Sequence, residues 1–341
     1  LLLDLTRSEV RDYIVHHITH LLDHCPITYV KWDMNRHMSD LYSAVTAGGE
    51  LPHRYMLGLY EVLERIFTPR PHILLETCSS GGNRFDLGLL CYSPQIWASD
   101  NTDPIERLSI QQGLSYFYPP CTMGAHVSQS PHQQTLRQTP LSTRFNVAAF
   151  GALGYELDLG ELSPQEKKQV AEQIEWYKKY RPTLQYGDFF RVPTRRRELV
   201  SWAAISSDRS QAVVLMAQRL CMAAPPADYL AVPALLPTAR YRVTAMPQQV
   251  AVARFGGLVK HIAPVKLSAD GLVMRTLNRH YALPDGSFTA EASGAALAAG
   301  IPLNDQFLGT GYHEGLRLWG DFGSQLYLVE RINENEEDQT K

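Results

Sequence analysis

The sequence predicts an α/β fold in which a parallel sheet built from βα units is followed by a small antiparallel β domain. Three observations predict it. Short apolar stretches alternate with helical ones as far as about Gly187, at the spacing of about 30 to 35 residues that βα units need. Each apolar stretch runs into polar residues able to do chemistry, which is how the carboxyl ends of barrel strands read. Beyond Gly187 helical spacing fades into short alternating runs separated by turn residues.

In chain order, Thr6-Arg-Ser-Glu9 reads as a capping box. Val10, Tyr13, Ile14, Ile18, Leu21 and Leu22 then recur on one helical face up to Pro26. His16, His20 and His24 fall four apart on this helix, but no carboxylate motif accompanies them, so no metal site is expected there. A strand over Ile27 to Trp32 ends in the alternation Lys31, Asp33, Asn35, whose side chains leave one face together. An ammonium, a carboxylate and an amide therefore converge on one small volume.

A helix over Pro52 to Phe67 is closed by Pro69 and Pro71. A second strand, His72 to Thr77, runs into Cys78-Ser-Ser-Gly-Gly82. A third, Gln95 to Ser99, runs into Asp100-Asn-Thr-Asp103 before a helix that opens at Pro104. Strand-like Cys121 to Val127, helical Leu141 to Phe150, strand Tyr155 to Leu159 and a capping-box helix from Ser163 to about Tyr180 complete the first part. Five such strands alternating with helices imply a parallel sheet with right-handed crossovers. In the second part, strands are expected over Val200 to Ile205, Gln211 to Ala217, Tyr241 to Ala245, His280 to Leu283 and Gln325 to Val329. Residues 188–332 should form an antiparallel β-sandwich before a frayed tail, Asn333 to Lys341.

The 341 residues, 45% hydrophobic and 20% charged with a net charge of −3, can bury a large core. Nucleic acid and anionic membranes are not expected partners, because no basic field exists beyond Arg195-Arg-Arg197. No apolar run reaches the roughly 18 residues of a membrane span. Five scattered cysteines without a Cys-x-x-Cys argue against a disulfide framework or a structural zinc and fit a reducing cytoplasm. Residue 1 is leucine, so a processed or truncated start is expected.

Candidate catalytic groups sit at every strand end: Lys31, Asp33 and Asn35; Glu76 and Cys78; Asp100 and Asp103; His126; and Glu156 or Asp158. Two carboxylates on different strand ends suit a retaining glycosidase, one attacking the sugar carbon and one protonating the departing oxygen. Asp33 and Asp100 are the natural pair, two βα units apart and hence on alternate strands. Asp103, just before Pro104, reads equally well as a helix cap. Gly81-Gly82 lacks the neighbours of a phosphate loop, so no nucleotide or other cofactor is expected. A Ser or Cys nucleophile lacks its motif, and His126 and His132 lack an evident orienting partner in the sequence.

The stretches Val30-Lys-Trp-Asp-Met-Asn-Arg36, Glu76-Thr-Cys-Ser-Ser-Gly-Gly-Asn-Arg-Phe-Asp86, Pro94-Gln-Ile-Trp-Ala-Ser-Asp-Asn-Thr-Asp-Pro-Ile-Glu-Arg107 and Met123-Gly-Ala-His-Val-Ser128 closely resemble the α-galactosidases of glycoside hydrolase family 36. The resemblance runs from about Leu2 to Gly187 and continues more weakly beyond. It implies a (β/α)8 barrel, a retaining double displacement and terminal α-galactosyl substrates such as melibiose and raffinose. It places the nucleophile on Asp33, the acid/base on Asp100, and the sugar against Lys31, Trp32, Asn35, Cys78 and Ser80. Where the family usually has glycine, this sequence has Ser80, which bears on substrate preference. Alternatives within reach are an α-N-acetylgalactosaminidase, a galactosyl-transferring relative or a non-catalytic carbohydrate-binding relative. A homo-oligomer of the full-length enzyme is compatible with the reading. Only five or six barrel strands can be counted before residue 187, where a closed barrel has eight. The barrel should thus be incomplete at its N-terminal side, residues 1–187 forming its part and 188–341 the β domain.

Overall fold

The computed structural model describes residues 2–258, 271–274, 276, 281–309 and 311–332. The chain divides into two compact units, Leu1–Asn101 with Thr122–Gly124, and Thr102–Cys121 with Ala125–Lys341. The tail expected over Asn333 to Lys341, and His280 of one expected strand, lie outside the described residues.

The first unit contains α1 (Ser8–His24), β1 (Tyr29–Asp33), α2 (Leu51–Phe67), β2 (Leu74–Cys78), α3 (Leu87–Leu90), β3 (Gln95–Trp97) and the start of β4 (Met123–Ser128). The strands are parallel neighbours in chain order, with Lys31 opposite Glu76 and Asp33 opposite Cys78. Helix α2 shows how the pattern becomes a core. Leu59, Val62, Leu63 and Ile66, spaced along one face, are all buried. Gly58 lets the chain at Leu5 lie on the helix, since a Cβ there would meet the Leu5 carbonyl oxygen at 2.2 Å.

Two expectations for α1 fail. Thr6 does not cap the helix: its hydroxyl donates to Asp4 at 2.6 Å, and the cap position falls on Arg7, without a side-chain bond. The nearby Asp4 carboxylate satisfies Thr6 before the helix can. The supposed core face is also largely open, with only Leu22 buried and Tyr13 64% exposed. Two ion pairs hold α1 to α2 instead, Arg11 with Glu61 at 2.9 Å and Arg65 with Asp12 at 2.8 Å, and a third joins Asp23 of α1 to Arg70 just beyond α2 at 2.7 Å. Among the described residues β1 pairs with β2 alone. An open pocket of about 380 Å³ lies beside it, lined by Ile18, Leu21, Leu22, Ile27 and the β1 residues.

The second unit contains α4 (Pro104–Leu114), the rest of β4, α5 (Leu141–Ala148), β5 (Ala152–Glu156) and α6 (Pro164–Tyr186). Strand β5 follows β4 in the parallel sheet. It begins and ends three residues earlier than the sequence suggests; past its end, Asp158 turns the chain by accepting from the Gly160 amide at 2.7 Å. Helix α6 carries the expected Ser163/Glu166 capping box but runs past the expected end, through Pro182.

Next come β6 (Asp188–Val192), β7 (Leu199–Ile205), β8 (Gln211–Gln218), β9 (Tyr229–Leu230), β10 (Arg240–Ala245), β11 (Gln248–Ala251), β12 (Ala282–Asp285), β13 (Thr289–Ser293), α7 (Gly294–Ala299), β14 (Ile301–Pro302) and β15 (Ser324–Arg331). Six of the strands form an antiparallel sheet ordered β13-β10-β15-β8-β7-β6. Its central strands are apolar on both faces. Trp202, Val213, Leu215 and Leu326 join Phe145 of α5 and Tyr177 of α6, while Ala203, Val214, Tyr241 and Tyr327 join Leu230 and Leu297. One face is thus covered by helices. The other is covered by α7 and the two-stranded β9-β14 sheet, which among the described residues make up the second layer of the expected sandwich there.

Candidate active site

The site is built on the end of β1 and the loops after β2 and β3, all within the first unit. Asp33, Lys31 and Asn35 are exposed, as their alternation on one strand face predicts. Asn35 donates its amide to Asp33 Oδ2 at 2.9 Å and accepts the Ser80 backbone N–H on Oδ1 at 2.7 Å. Its side chain therefore ties the carboxylate to the β2 loop. Cys78, opposite Asp33 in the ladder, is buried; burial pushes its thiol pKa up, and a hydrogen bond to the Asp33 carboxylate adds to the rise.

Behind this trio the Met34 backbone is clamped. Its N–H donates to the Cys78 carbonyl at 3.0 Å, and its carbonyl accepts from Ser79 Oγ at 2.6 Å and from Arg84 Nη1. The same Arg84 nitrogen donates to Ser79 Oγ at 2.7 Å. Met34 lies between Asp33 and Asn35, so fixing its peptide fixes both flanking side chains.

A second chain of contacts reaches Asp100. Glu76 is fully buried, accepts from Gln95 Nε2 and pairs with the Lys31 ammonium at 3.4 Å. Burial and a hydrogen bond to Glu76 push the Tyr29 hydroxyl pKa up. The Lys31 ammonium also lies 4.5 Å from the centre of the Trp97 ring, an attractive placement for a cation. The Trp97 indole N–H donates to Asp100 Oδ1 at 2.9 Å.

Two glycines let the strand ends approach. A Cβ on Gly81 would stand 2.9 Å from Ser99 Cα, and one on Gly82 would stand 2.7 Å from the Ala98 carbonyl. The β2 loop thus lies directly on the backbone leading into Asp100. Gly81 has φ +80°, open to glycine at no steric cost. Ser80 beside it has φ 49°, a left-handed conformation that a side chain disfavours.

Of the residues expected to form the site, Lys31, Asp33, Asn35, Cys78 and Ser80 are linked by these contacts, and Asp100 joins them through Trp97. Trp32 does not join: strand alternation turns it to the other face of β1, where it meets Phe67 of α2 edge-on at 6.3 Å. Asp103 caps α4, accepting from the Ile105 amide at 2.8 Å and pairing with Arg137 at 2.7 Å. Burial pulls its pKa up, but Thr135, Arg137 and the Ile105 amide outweigh that and hold the carboxyl below its usual range. His126 and His132 do have partners, unlike the sequence expectation: His126 meets Glu156 at 3.1 Å and His132 meets Thr102 at 3.0 Å. The α1 histidines stack on one another, and among the described residues no group of three metal-binding side chains forms. Sequence reasoning missed Trp97 and Arg84. The only hint was their place inside the third and second motif stretches.

Comparison with known proteins adds to this geometry. Residues 1–187 match the melibiase family model, and residues 199–329 match that of the glycosyl hydrolase family 36 C-terminal domain. Alpha-galactosidase 1 of Pediococcus pentosaceus is 50% identical over 219 residues, covering 63% of this chain and 30% of the relative. The crystal structure of the family 36 α-galactosidase AgaA of Geobacillus stearothermophilus superposes with a TM-score of 0.77 at 36% identity, over 97% of this chain and 39% of that one. A variant of AgaA in complex with raffinose superposes equally well, with a TM-score of 0.77, 36% identity and the same two coverages of 97% and 39%. The chain spans about a third of the length of the curated relatives it matches.

Proposed function

The chain belongs to glycoside hydrolase family 36, the family of the melibiases, and from that premise we propose that it carries the two catalytic carboxylates of a retaining α-galactosidase. The observation that carries the proposal is the pairing of Asp33 and Asp100 at the ends of alternate parallel strands, each held by a donor from its own strand end: Asn35 for one, Trp97 for the other. Asp33 attacks the anomeric carbon while Asp100 gives its proton to the departing glycosidic oxygen, leaving a galactosyl ester on Asp33. Asp100 then takes a proton from water, which attacks the same carbon and frees Asp33. Two inversions return the original α configuration.

Lys31, Asn35, Cys78 and Ser80 are the groups placed to meet the sugar. The raffinose complex of AgaA supports a terminal α-galactosyl residue as the substrate unit. That β1 pairs with β2 alone among the described residues, and the apolar pocket beside it, support a barrel whose remaining strands lie outside residues 1–341. Residues 1–341 alone should therefore hydrolyse an aryl α-galactoside negligibly beside a protein of the relatives' length that carries them.

The test uses that longer protein. Asp33→Ala should lose turnover on every substrate. Asp100→Ala should still be galactosylated by an aryl galactoside whose leaving group needs no proton. NMR of the first sugar released should show α-galactose; initial release of β-galactose would end the retaining reading. The two carboxyl groups should stand about 5 to 5.5 Å apart when sugar is bound.

A further inference from the structure

We propose that Trp97 is a positioning residue for proton transfer: its indole N–H holds Oδ1 of Asp100 and so sets the orientation in which the carboxyl delivers and recovers its proton. The inference rests on Asp100 being the acid/base. Trp97 is 3% exposed, so its N–H is shielded from water, and it donates to Asp100 Oδ1 at 2.9 Å. The ring is fixed from two other sides. The Lys31 ammonium sits 4.5 Å from its centre, and a Cβ on Gly124 would stand 2.9 Å from its Cε3. Glycine at 124 therefore leaves room for this ring, and Lys31 is itself held by the buried Glu76.

The chemistry follows from that contact. An indole N–H can only donate, so Oδ1 accepts from it whether Asp100 carries its proton or not. As the glycosidic C–O bond breaks, its electron pair stays on the leaving oxygen, which takes that proton. The charge then developing on Asp100 strengthens the N–H···Oδ1 bond, because a donor to a carboxylate binds more strongly than one to a neutral acid. The contact thus favours the transition state over the bound substrate. Because the same ring carries Lys31 on its face, one side chain links the cation next to Asp33 with the orientation of Asp100.

Trp97→Phe keeps an aromatic face and removes the donor, together with part of the buried indole. In a protein of the relatives' length, kcat/KM for raffinose should fall by roughly 10- to 100-fold, the scale of a lost hydrogen bond to a charged group. For a dinitrophenyl α-galactoside, which departs without a proton, the fall should be under about 3-fold. KM for raffinose should move little. Equal losses on both substrates would overturn the positioning role alone, and a wild type inactive on both would instead overturn the acid/base reading beneath it. Should Trp97→Phe fail to fold, Asp100→Ala gives a second measurement free of activity: the assigned indole N–H resonance of Trp97 should shift upfield. An unmoved Trp97 resonance would overturn the contact itself.

Discussion

The chain holds two clusters of charge that look alike in composition and differ in nearly everything else. In the second unit, Asp228 accepts from Arg196 Nε and Nη2 and from Arg317 Nη1, all at 2.9 Å, and from Gln306 at 3.2 Å. All three charged side chains are 3% exposed. In the first unit, Asp33 is exposed and is held by one amide and one thiol, and its neighbour Lys31 is 38% exposed. The buried carboxylate has its acceptor sites filled by protein donors and can only be structural. The exposed one is oriented yet left with room to react. Orientation without saturation, at the end of a parallel strand, is what the catalytic role proposed for Asp33 requires, and charge or burial alone would not single that residue out.

Exchanging the two aspartates gives the sharpest test. Asp33→Ala should cut turnover by about four orders of magnitude or more in a protein of the relatives' length, with the melting temperature unchanged within a degree or so. Asp228→Ala should cost about 3 to 5 kcal/mol by leaving Arg196 and Arg317 buried without their counter-ion, read as a shift of the denaturation midpoint. If Asp228→Ala unfolds at the wild-type midpoint, the network is not the structural element described.

The glycine contact that joins the strand ends comes next. Gly81→Ala must place a Cβ 2.9 Å from Ser99 Cα at φ +80°, and should cost about 2 to 3 kcal/mol from the left-handed backbone and the clash. The displaced loop would also move the Ser80 amide from Asn35, so activity should fall together with stability. Wild-type activity in Gly81→Ala would show that the loop does not set Asp33.

How much of this was legible in the sequence depends on the reach of each interaction. Lys31, Asp33 and Asn35 were legible because they are two residues apart on a strand whose alternation is local. The Met34 clamp was not, because Arg84 lies 50 positions away and no local period announces it. Trp97 was hidden for another reason: an aromatic in a short apolar strand reads as core, and it is core, with only its N–H turned to Asp100. In the second unit the long strands β7, β8 and β15 were legible, while β9 and β14, two residues each, are too short to show a period.

Asp103 offers a milder contrast, a buried carboxylate that caps α4. Asparagine caps helices as well as aspartate does, so Asp103→Asn isolates the ion pair with Arg137 and should cost about 1 to 2 kcal/mol at neutral pH. The sign in pH is fixed. The folded carboxyl lies below its ordinary value of 3.8, so its contribution is complete above that value and fades as pH falls through it toward the folded pKa. The gap between wild type and variant should stay constant from about pH 7 to 5 and close below about pH 4. A gap that widens in acid would mean the carboxyl is not held ionised.

The smallest effect concerns Ser80, and it runs the other way. At φ 49° a serine carries a left-handed penalty of roughly 1 to 2 kcal/mol, which glycine escapes. Glycine in turn loses about 0.4 to 1 kcal/mol through the freedom it gives the unfolded chain. Ser80→Gly should thus stabilise by up to about 1 kcal/mol. Nothing around Asp33 need change, because the bonds that Ser80 makes to Asn35 and Asn83 use its backbone N–H and carbonyl. Turnover of melibiose should therefore stay within about 3-fold. What the substitution does remove is one hydroxymethyl group from the loop proposed to meet the sugar. The ratio of kcat/KM for an N-acetylgalactosaminide to that for a galactoside should rise if that group limits space beside the ring. A lower melting temperature in Ser80→Gly would mean that the serine hydroxyl outweighs its backbone strain, and the departure from glycine at this position would then be structural rather than a matter of substrate preference.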